Sequence, residues 1–190
     1  MATVALIVDW SGPFDSIEDA KKAAKEFKLS EVLYLATGKR KYQRYSTMQY
    51  VGISNDLQSR FTKHRTLPEV TGDFKLWIGE ISSHGIAGRR AQSHPVAHGR
   101  AVELAEWALA YFLALPLNVR KRTTPPSESV MLVNRWFRDD FDTKRDRRGH
   151  KDWPDFIEFE PEYDFARLQW FGSRGRSRRF SAADIKALAI

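Results

Sequence analysis

Four residues suited to phosphate chemistry lie close together in the segment QYVGISNDLQSRFTKHR, residues 49–65. Tyr50 and Gly52 end a strand-like run, and Arg60 and His64 follow it four residues apart. An arginine can stabilise the charge that develops on a phosphate, and a phenol or an imidazole can take a proton from attacking water. The segment therefore predicts part of a site that cleaves phosphodiester bonds.

A glutamate in an apolar helix is the second chemical candidate. Residues 100–115, RAVELAEWALAYFLAL, are apolar nearly all round and predict a buried helix. Glu106 shares a stripe of this helix with Val102 and Leu109, and a buried carboxylate is costly unless a cation or several donors meet it. Two interpretations stay open: a ligand for a divalent metal ion, or an ion pair with an arginine at the edge of the core. Glu103, one turn earlier, is the competing carboxylate.

Several strands are expected to position these side chains. Apolar runs bounded by turn residues indicate strands, and they lie at residues 1–10, 31–38, 48–54, 74–82 and 129–137, with one or two more in 155–172. The second and third of these strands predict a β-hairpin whose long basic tip includes GKRKYQR. Residues 11–14, SGPF, predict a turn.

Two further helices are predicted near the N-terminus. The first covers residues 15–29, with Asp15 or Ser16 as its N-cap, acidic residues in its first turn and lysines later. The second opens at Ser54 or Asn55 and places Arg60 and His64 on one face, together with Leu57 and Phe61. This helix would present the arginine and the histidine to the hairpin.

Composition indicates one compact domain with extensions, and its basic charge leaves open both a nucleic-acid partner and a solvated surface that is merely basic. The chain has 190 residues, and 31 Lys and Arg against 24 Asp and Glu give a formal charge of +7. The basic residues cluster in GKRKYQR, VRKR, TKRDRRGHK and GSRGRSRR. Trp136, Trp153 and Trp170 lie near such runs, where core packing is a better interpretation than base stacking.

The expected location is the cytoplasm. There is no cysteine, so the sequence offers neither a disulfide nor a thiolate metal site. The apolar run at the start is short, lacks a basic leader and stops at Asp9, which favours a strand over a signal peptide. No segment reaches the roughly 20 apolar residues that a membrane span requires.

Taken together, these motifs resemble the GIY-YIG nuclease superfamily over residues 31–119. VLY at residues 32–34 stands for the first motif, and YVG at residues 50–52 stands for the second. The matching functional residues are Tyr34, Tyr50, Arg60, His64, Glu106 and Asn118. The sequence departs from the family pattern in two ways: Val32 replaces the glycine of the first motif, and the link between the two tyrosines is longer and more basic.

The resemblance implies an α+β fold, a small mixed and mainly antiparallel sheet flanked by helices. It implies a catalytic core at residues 31–120, an N-terminal strand and helix at 1–30 and a basic, β-rich extension at 121–190. It also implies a single Mg²⁺ or Mn²⁺ ion held chiefly by Glu106, which the interval to Asn118 selects over Glu103. Tyr34 would activate water, while Tyr50 and His64 would orient groups or share the proton.

The implied activity is metal-dependent cleavage of double-stranded DNA, as in a type II restriction enzyme or a related defence or mobile-element nuclease. Cleavage of both strands by subunits with one site each would suit a homodimer. No association with a membrane is expected. The expected contacts to nucleic acid are Lys39, Arg40, Lys41, Arg44, Arg174, Arg176, Arg178 and Arg179. Two alternatives stay open. One is a nuclease of the same fold for RNA or for branched or damaged DNA, and the other is a non-catalytic binding module, against which the intact residue set argues.

Overall fold

A single eight-stranded sheet dominates the computed structural model, which describes residues 2–88, 96–172, 175–181, 184 and 187. The strands are β1 (Val4–Phe14), β2 (Val32–Arg40), β3 (Thr47–Ser54), β4 (Val70–Ile86), β5 (Val130–Phe137), β6 (Phe156–Glu160), β7 (Phe165–Trp170) and β8 (Arg176–Phe180). The α-helices are α1 (Ile17–Glu26), α2 (Leu57–Thr62) and α3 (His98–Phe112). Short 3₁₀ helices lie at Leu67–Glu69 and Pro161–Tyr163.

The strand order is β3-β2-β4-β1-β5-β6-β7-β8. Neighbouring strands are antiparallel except β1 and β5, which run parallel. The N-terminal strand β1 therefore lies between β4 and β5 in the middle of the sheet. The expected α+β class and the mixed, mainly antiparallel sheet are confirmed, and the sheet is larger and more dominant than the sequence predicted.

Local sequence explains most element boundaries, but the prediction from sequence placed three of them wrongly. Helix α1 begins after Ser16, one of its two predicted N-caps, whose hydroxyl accepts from the Asp19 N–H at 3.0 Å. The predicted turn at residues 11–14 is instead the end of β1, which continues across a register shift because buried Phe14 packs into the core beside α1. Strand β4 is longer than the predicted 74–82 because it pairs with both β1 and β2 along its length.

The third correction concerns the helix that follows the hairpin. Its N-cap is Asp56, not Ser54 or Asn55, because the Asp56 carboxylate accepts from the backbone N–H of Ser59 at 3.2 Å. The helix is only six residues long. His64 therefore lies in the turn beyond its C-terminus rather than on a helical face.

The two faces of the sheet carry different helices. Alternate residues of a strand point to opposite faces. In β2, Tyr34 packs in a cluster with residues of α1 and α2, whereas Leu33 and Leu35 pack in the larger cluster that contains α3. Helices α1 and α2 thus cover one face of the hairpin, and α3 covers the other.

Helix α3 is buried, as its apolar sequence predicts. Ten of its 15 residues are buried, Glu106 among them. Within the residues that the structure describes, no helix is both long and apolar enough to cross a membrane.

Candidate active site

The β2–β3 hairpin brings Tyr34 against Gly52. The two residues are directly paired across the antiparallel strands. A Cβ atom at position 52 would lie 2.5 Å from the Tyr34 hydroxyl oxygen and 2.9 Å from Tyr50 Cε1. Glycine is therefore needed here because the end of the Tyr34 ring lies across this position, which explains the last residue of YVG.

Arg60 joins the two tyrosines. Its Nε donates to the Tyr34 hydroxyl oxygen at 2.9 Å, and its Nη2 donates to the Tyr50 hydroxyl oxygen at 3.4 Å. The two phenol rings lie 5.9 Å apart between centroids. The hydrogen bond to Tyr34 raises the pKa of Arg60 above its ordinary value, so the guanidinium stays charged.

His64 completes the network as a hydrogen-bond donor. Its Nδ1 accepts from the backbone N–H groups of Thr66 and Leu67 at 3.2 and 3.1 Å, and its Nε2 lies 3.0 Å from the Tyr34 hydroxyl oxygen. In a neutral imidazole one nitrogen donates and the other accepts. Because Nδ1 accepts, the proton is on Nε2 and points to Tyr34. The Tyr34 oxygen thus receives two N–H donors, from Arg60 and His64.

Burial separates the two tyrosines. Tyr34 is 0% exposed, whereas Tyr50 is partly exposed. Burial, with a smaller contribution from Tyr50, raises the pKa of Tyr34 above its ordinary value, although the hydrogen bond from Arg60 acts in the opposite direction. At neutral pH, Tyr34 therefore keeps its proton in the free protein, and Tyr50 is the phenol that meets solvent.

The same environment keeps His64 neutral. Burial and, secondly, the charge of Arg60 lower the pKa of His64 to about 4. Protonating Nδ1 would also remove the acceptor for the Thr66 and Leu67 N–H groups. The imidazole is thus a poor proton acceptor on both nitrogens.

We expect His64 to be neutral, with its proton on Nε2, from pH 8 down to pH 5, roughly 1.5 units below the ordinary value of about 6.5 for histidine. In the unfolded chain His64 takes up a proton near that ordinary value. Folding stability should therefore fall as pH decreases from about 6.5 to the folded-state value of about 4. Nitrogen-15 NMR of the imidazole and urea unfolding of wild type and His64→Gln across this range measure the two effects. A proton on Nδ1, or a midpoint near 6.5, contradicts the assignment.

A small cationic cavity opens beside the network. Arg60, Lys63, His64, Arg65 and Thr66 line its volume of about 260 Å³. No carboxylate is among these lining residues. An anionic group is the ligand that such a lining would attract, and a phosphate that entered would meet Arg60 at the edge of the tyrosine network.

Lys63 and Arg65 were missed by the reasoning from sequence. Lys63 precedes His64 and Arg65 follows it. The turn after α2 brings both side chains to the cavity that Arg60 also lines. Their signal in the sequence was an excess of cations around His64, which does not distinguish a lined cavity from a solvated surface.

Asn118 ties the segment after α3 to the free edge of β3. Its Oδ1 accepts from the Val51 N–H at 2.9 Å, and its Nδ2 donates to the Val51 carbonyl at 2.7 Å. The Leu117 N–H also donates to the Gln49 carbonyl, at 3.0 Å. The carboxamide thus pairs with Val51 as a strand residue would, directly between Tyr50 and Gly52. Asn118 is placed to hold the hairpin rather than to contact a substrate.

Glu106 is not hydrogen-bonded into the tyrosine network. Its Oε2 accepts from Lys121 Nζ at 2.5 Å, and α3 lies on the face of the sheet opposite Tyr34. The carboxylate is ion-paired at the core edge, with lysine rather than the arginine considered from sequence. Glu103 is 43% exposed and pairs with Arg100 at 2.8 Å. Of the two carboxylates, Glu106 is the buried one, as its stripe predicts.

The fit of a metal ion to Glu106 depends on the donor set. In the described part of the chain, no three Asp, Glu, His or Cys side chains come together as a metal site. Mg²⁺ commonly uses one or two carboxylates and completes its shell with water and phosphate oxygens. The single carboxylate of Glu106 therefore suits Mg²⁺, and Lys121, which pairs with that carboxylate, would compete with the ion for it. Such an ion would supply positive charge that stabilises the transition state.

The predicted nucleic-acid contacts fall into two groups. At the hairpin, Lys39 pairs with Asp73 at 2.6 Å, and Lys41 and Arg44 lie over the rings of the neighbouring residues Tyr42 and Tyr45. The Arg40 Nε atom is buried and has no hydrogen-bond partner in the described structure. Tyr42 and Tyr45 are 93% and 66% exposed, so the hairpin tip presents aromatic as well as basic side chains.

The second group lies on β8, the edge strand next to β7. Arg176, Arg178 and Arg179 are exposed, and Arg174 lies outside the described residues. Arg176 donates to the Lys151 carbonyl and to Asp152, and its guanidinium lies 4.0 Å from the centroid of the Trp170 ring. Trp136, Trp153 and Trp170 are buried, which confirms their expected core packing.

Comparison with known proteins adds no assignment to this geometry. No protein-family model, no curated protein and no solved structure matches the chain. A function therefore has to be argued from three observations: the tyrosine network around Arg60, the cationic cavity and the basic edges of the sheet.

Proposed function

We propose that the protein is a metal-dependent endonuclease that hydrolyses DNA phosphodiester bonds, of the type II restriction class or a related defence or mobile-element class. The observation that carries the proposal is the convergence of Arg60, Tyr34, Tyr50 and His64 beside a cavity lined by cations. A solvated surface needs no such network, because exposed arginines gain little from fixed geometry.

In this proposal Arg60 contacts the scissile phosphate. Tyr34 holds the guanidinium through Nε, and Nη2 makes only a long contact of 3.4 Å to Tyr50. The Nη edge is thus available to a phosphate in the adjoining cavity. Fixed donors aimed at developing charge are worth more than mobile ones because no reorganisation is needed during the reaction.

The tautomer of His64 assigns the proton chemistry to the tyrosines. An imidazole with its proton on Nε2 and its Nδ1 engaged by backbone donors orients Tyr34 rather than accepting a proton. Tyr50 is the phenol exposed to the substrate, so we assign the contact with attacking water to Tyr50 and the positioning of Arg60 to Tyr34. A phenol acts as a base only after losing its proton, so in this proposal Tyr50 takes part in proton transfer as the phenolate.

A cleavage survey tests the proposed function. Plasmid, phage DNA, branched DNA and structured RNA are incubated with the protein and Mg²⁺, and the ends of all products are sequenced. We expect internal breaks in DNA that Arg60→Lys and omission of the metal both suppress. Breaks confined to RNA or to branched DNA would keep the proposed hydrolysis of phosphodiester bonds but change the substrate. Tight DNA binding with every substrate intact would leave a non-catalytic binding module.

The arginines between residues 174 and 179 lead to a separate prediction about affinity. If they contact phosphates, each contact releases condensed counterions, and log affinity falls with log salt by about 0.9 per contact on duplex DNA. Neutralising Arg174, Arg176, Arg178 and Arg179 together should weaken binding. It should also reduce the slope of log affinity against log salt by up to about 0.9 for each phosphate contact that is lost. The measurement is a salt titration of metal-free Glu106→Gln protein, with and without the four substitutions. The same slope in both proteins would mean that these four arginines do not contact the DNA backbone.

A further inference from the structure

The two edge strands of the sheet meet at one groove. Strand β3 is first and β8 last in the strand order, yet Met48 of β3 and Arg176 and Arg178 of β8 line the same cavity of about 330 Å³. The sheet therefore curls around the end of α3. A hydrogen-bonding contact between His150 Nε2 and the Ser46 carbonyl, at 3.2 Å, also joins the hairpin tip to the segment before β6.

The groove combines an apolar lining with a cationic rim. Phe112 at the end of α3 and Leu168 and Trp170 on β7 supply much of the apolar surface. Arg176 and Arg178 lie on the rim against a single carboxylate, Asp152. The guanidinium of Arg176 stacks on Trp170 at 4.0 Å from the ring centroid, so the aromatic wall continues into a flat, positively charged group.

Trp170 is the buried part of this wall. Its side chain is only 8% exposed, and its Nε1 atom is buried without a hydrogen-bond partner in the described structure, as are the Nε1 atoms of Trp77 and Trp153. The indole N–H is thus enclosed in the core, and a ligand in the groove would meet the Trp170 ring together with the Arg176 guanidinium that stacks on it.

We propose that the groove binds one unpaired nucleobase of a nucleic acid strand. A base offers a flat π surface for the Arg176–Trp170 wall, and its flanking phosphates match Arg176 and Arg178. The volume suits a small ligand, because ligand pockets begin at about 300 Å³. Charge favours this occupant over an apolar peptide, because the rim carries two cations against one acid. This inference deepens the proposed function by adding base contact to backbone contact.

The test compares two DNA duplexes of equal length, one fully paired and one with a single bulged 2-aminopurine. Binding is measured in EDTA, where a metal-dependent nuclease does not cleave, so the result is independent of the cleavage survey. We expect the bulged duplex to bind about tenfold more tightly and its 2-aminopurine fluorescence to be quenched on binding. Ser177→Trp, which places a large side chain at the groove lining, should abolish the preference.

Two tryptophan variants separate the groove from the core. Trp170→Phe keeps an apolar wall but gives Arg176 a smaller aromatic surface to stack on, and we expect it to reduce the preference about threefold. Trp153→Phe is the matched control, because Trp153 Nε1 is also buried and unpartnered but Trp153 does not line the groove. Trp153→Phe should therefore bind both duplexes as wild type does.

Three results would overturn the proposal. The first is equal affinity of wild type for the two duplexes, and the second is a bulge preference that survives Ser177→Trp. The third is a dimer that Ser177→Trp dissociates, seen by sedimentation together with no bulge preference, because the groove would then be covered by a second copy of the chain.

Discussion

Replacing Arg60 with lysine is expected to lower the single-turnover rate of DNA cleavage by about a hundredfold to a thousandfold. A lysine ammonium is a point charge and cannot present the planar, forked donors that hold Tyr34 through Nε while leaving the Nη edge for a phosphate. The affinity for DNA should change much less than the rate, because other cations remain around the cavity. A short duplex containing a cleavage site from the survey is the substrate.

Arg65→Lys is the matched control for this prediction. Arg65 lines the same cavity and is exposed, but the Tyr34 oxygen receives its donors from Arg60 and His64. We therefore expect Arg65→Lys to cleave within about threefold of the wild-type rate, as is usual for an exposed charge-conserving change. If Arg60→Lys cleaves as fast as wild type, Arg60 is structural and the reaction centre lies elsewhere.

If an ion held by Glu106 acts on the phosphate at Arg60, although α3 packs on the face of the sheet opposite Tyr34, Glu106→Gln lowers cleavage by at least about a thousandfold while the protein stays folded. The amide keeps the shape of the side chain but loses the charge that a divalent ion requires. Lys121, left without its partner, has a side chain that is 26% exposed and can turn to water. The free energy of unfolding should consequently fall by no more than about 2 kcal/mol, as urea denaturation would measure.

Glu103→Gln is the control carboxylate. Its side chain is 43% exposed, and it pairs with Arg100 on the same helix. We expect cleavage within about twofold of wild type, since an exposed ion pair contributes little. Binding of Mn²⁺, followed by electron paramagnetic resonance without DNA, should be lost in Glu106→Gln and kept in Glu103→Gln. The reverse pattern for rate and binding would transfer the metal role to Glu103.

The hairpin and the buried helix were readable from sequence because their signals are local. Capping by Ser16, the apolar run of β2 bounded by turn residues and the apolar stripe around Glu106 each depend on residues a few positions apart. The same reasoning misplaced the cap of α2, because Ser54, Asn55 and Asp56 all have side chains that can cap a helix. The choice among them depended on where β3 ended.

The sequence alone therefore specified the residue types of the candidate site, the elements that carry them except for His64, and the burial of Glu106. Only the tertiary structure decided that Tyr34 is enclosed while Tyr50 meets solvent, that His64 donates through Nε2, and that α3 packs on the opposite face from Tyr34. It also brought β8 beside β3. The physical reason is that side-chain periodicity depends on residues a few positions apart. Burial, the tautomer of His64 and the approach of the two sheet edges depend on contacts between distant parts of the chain.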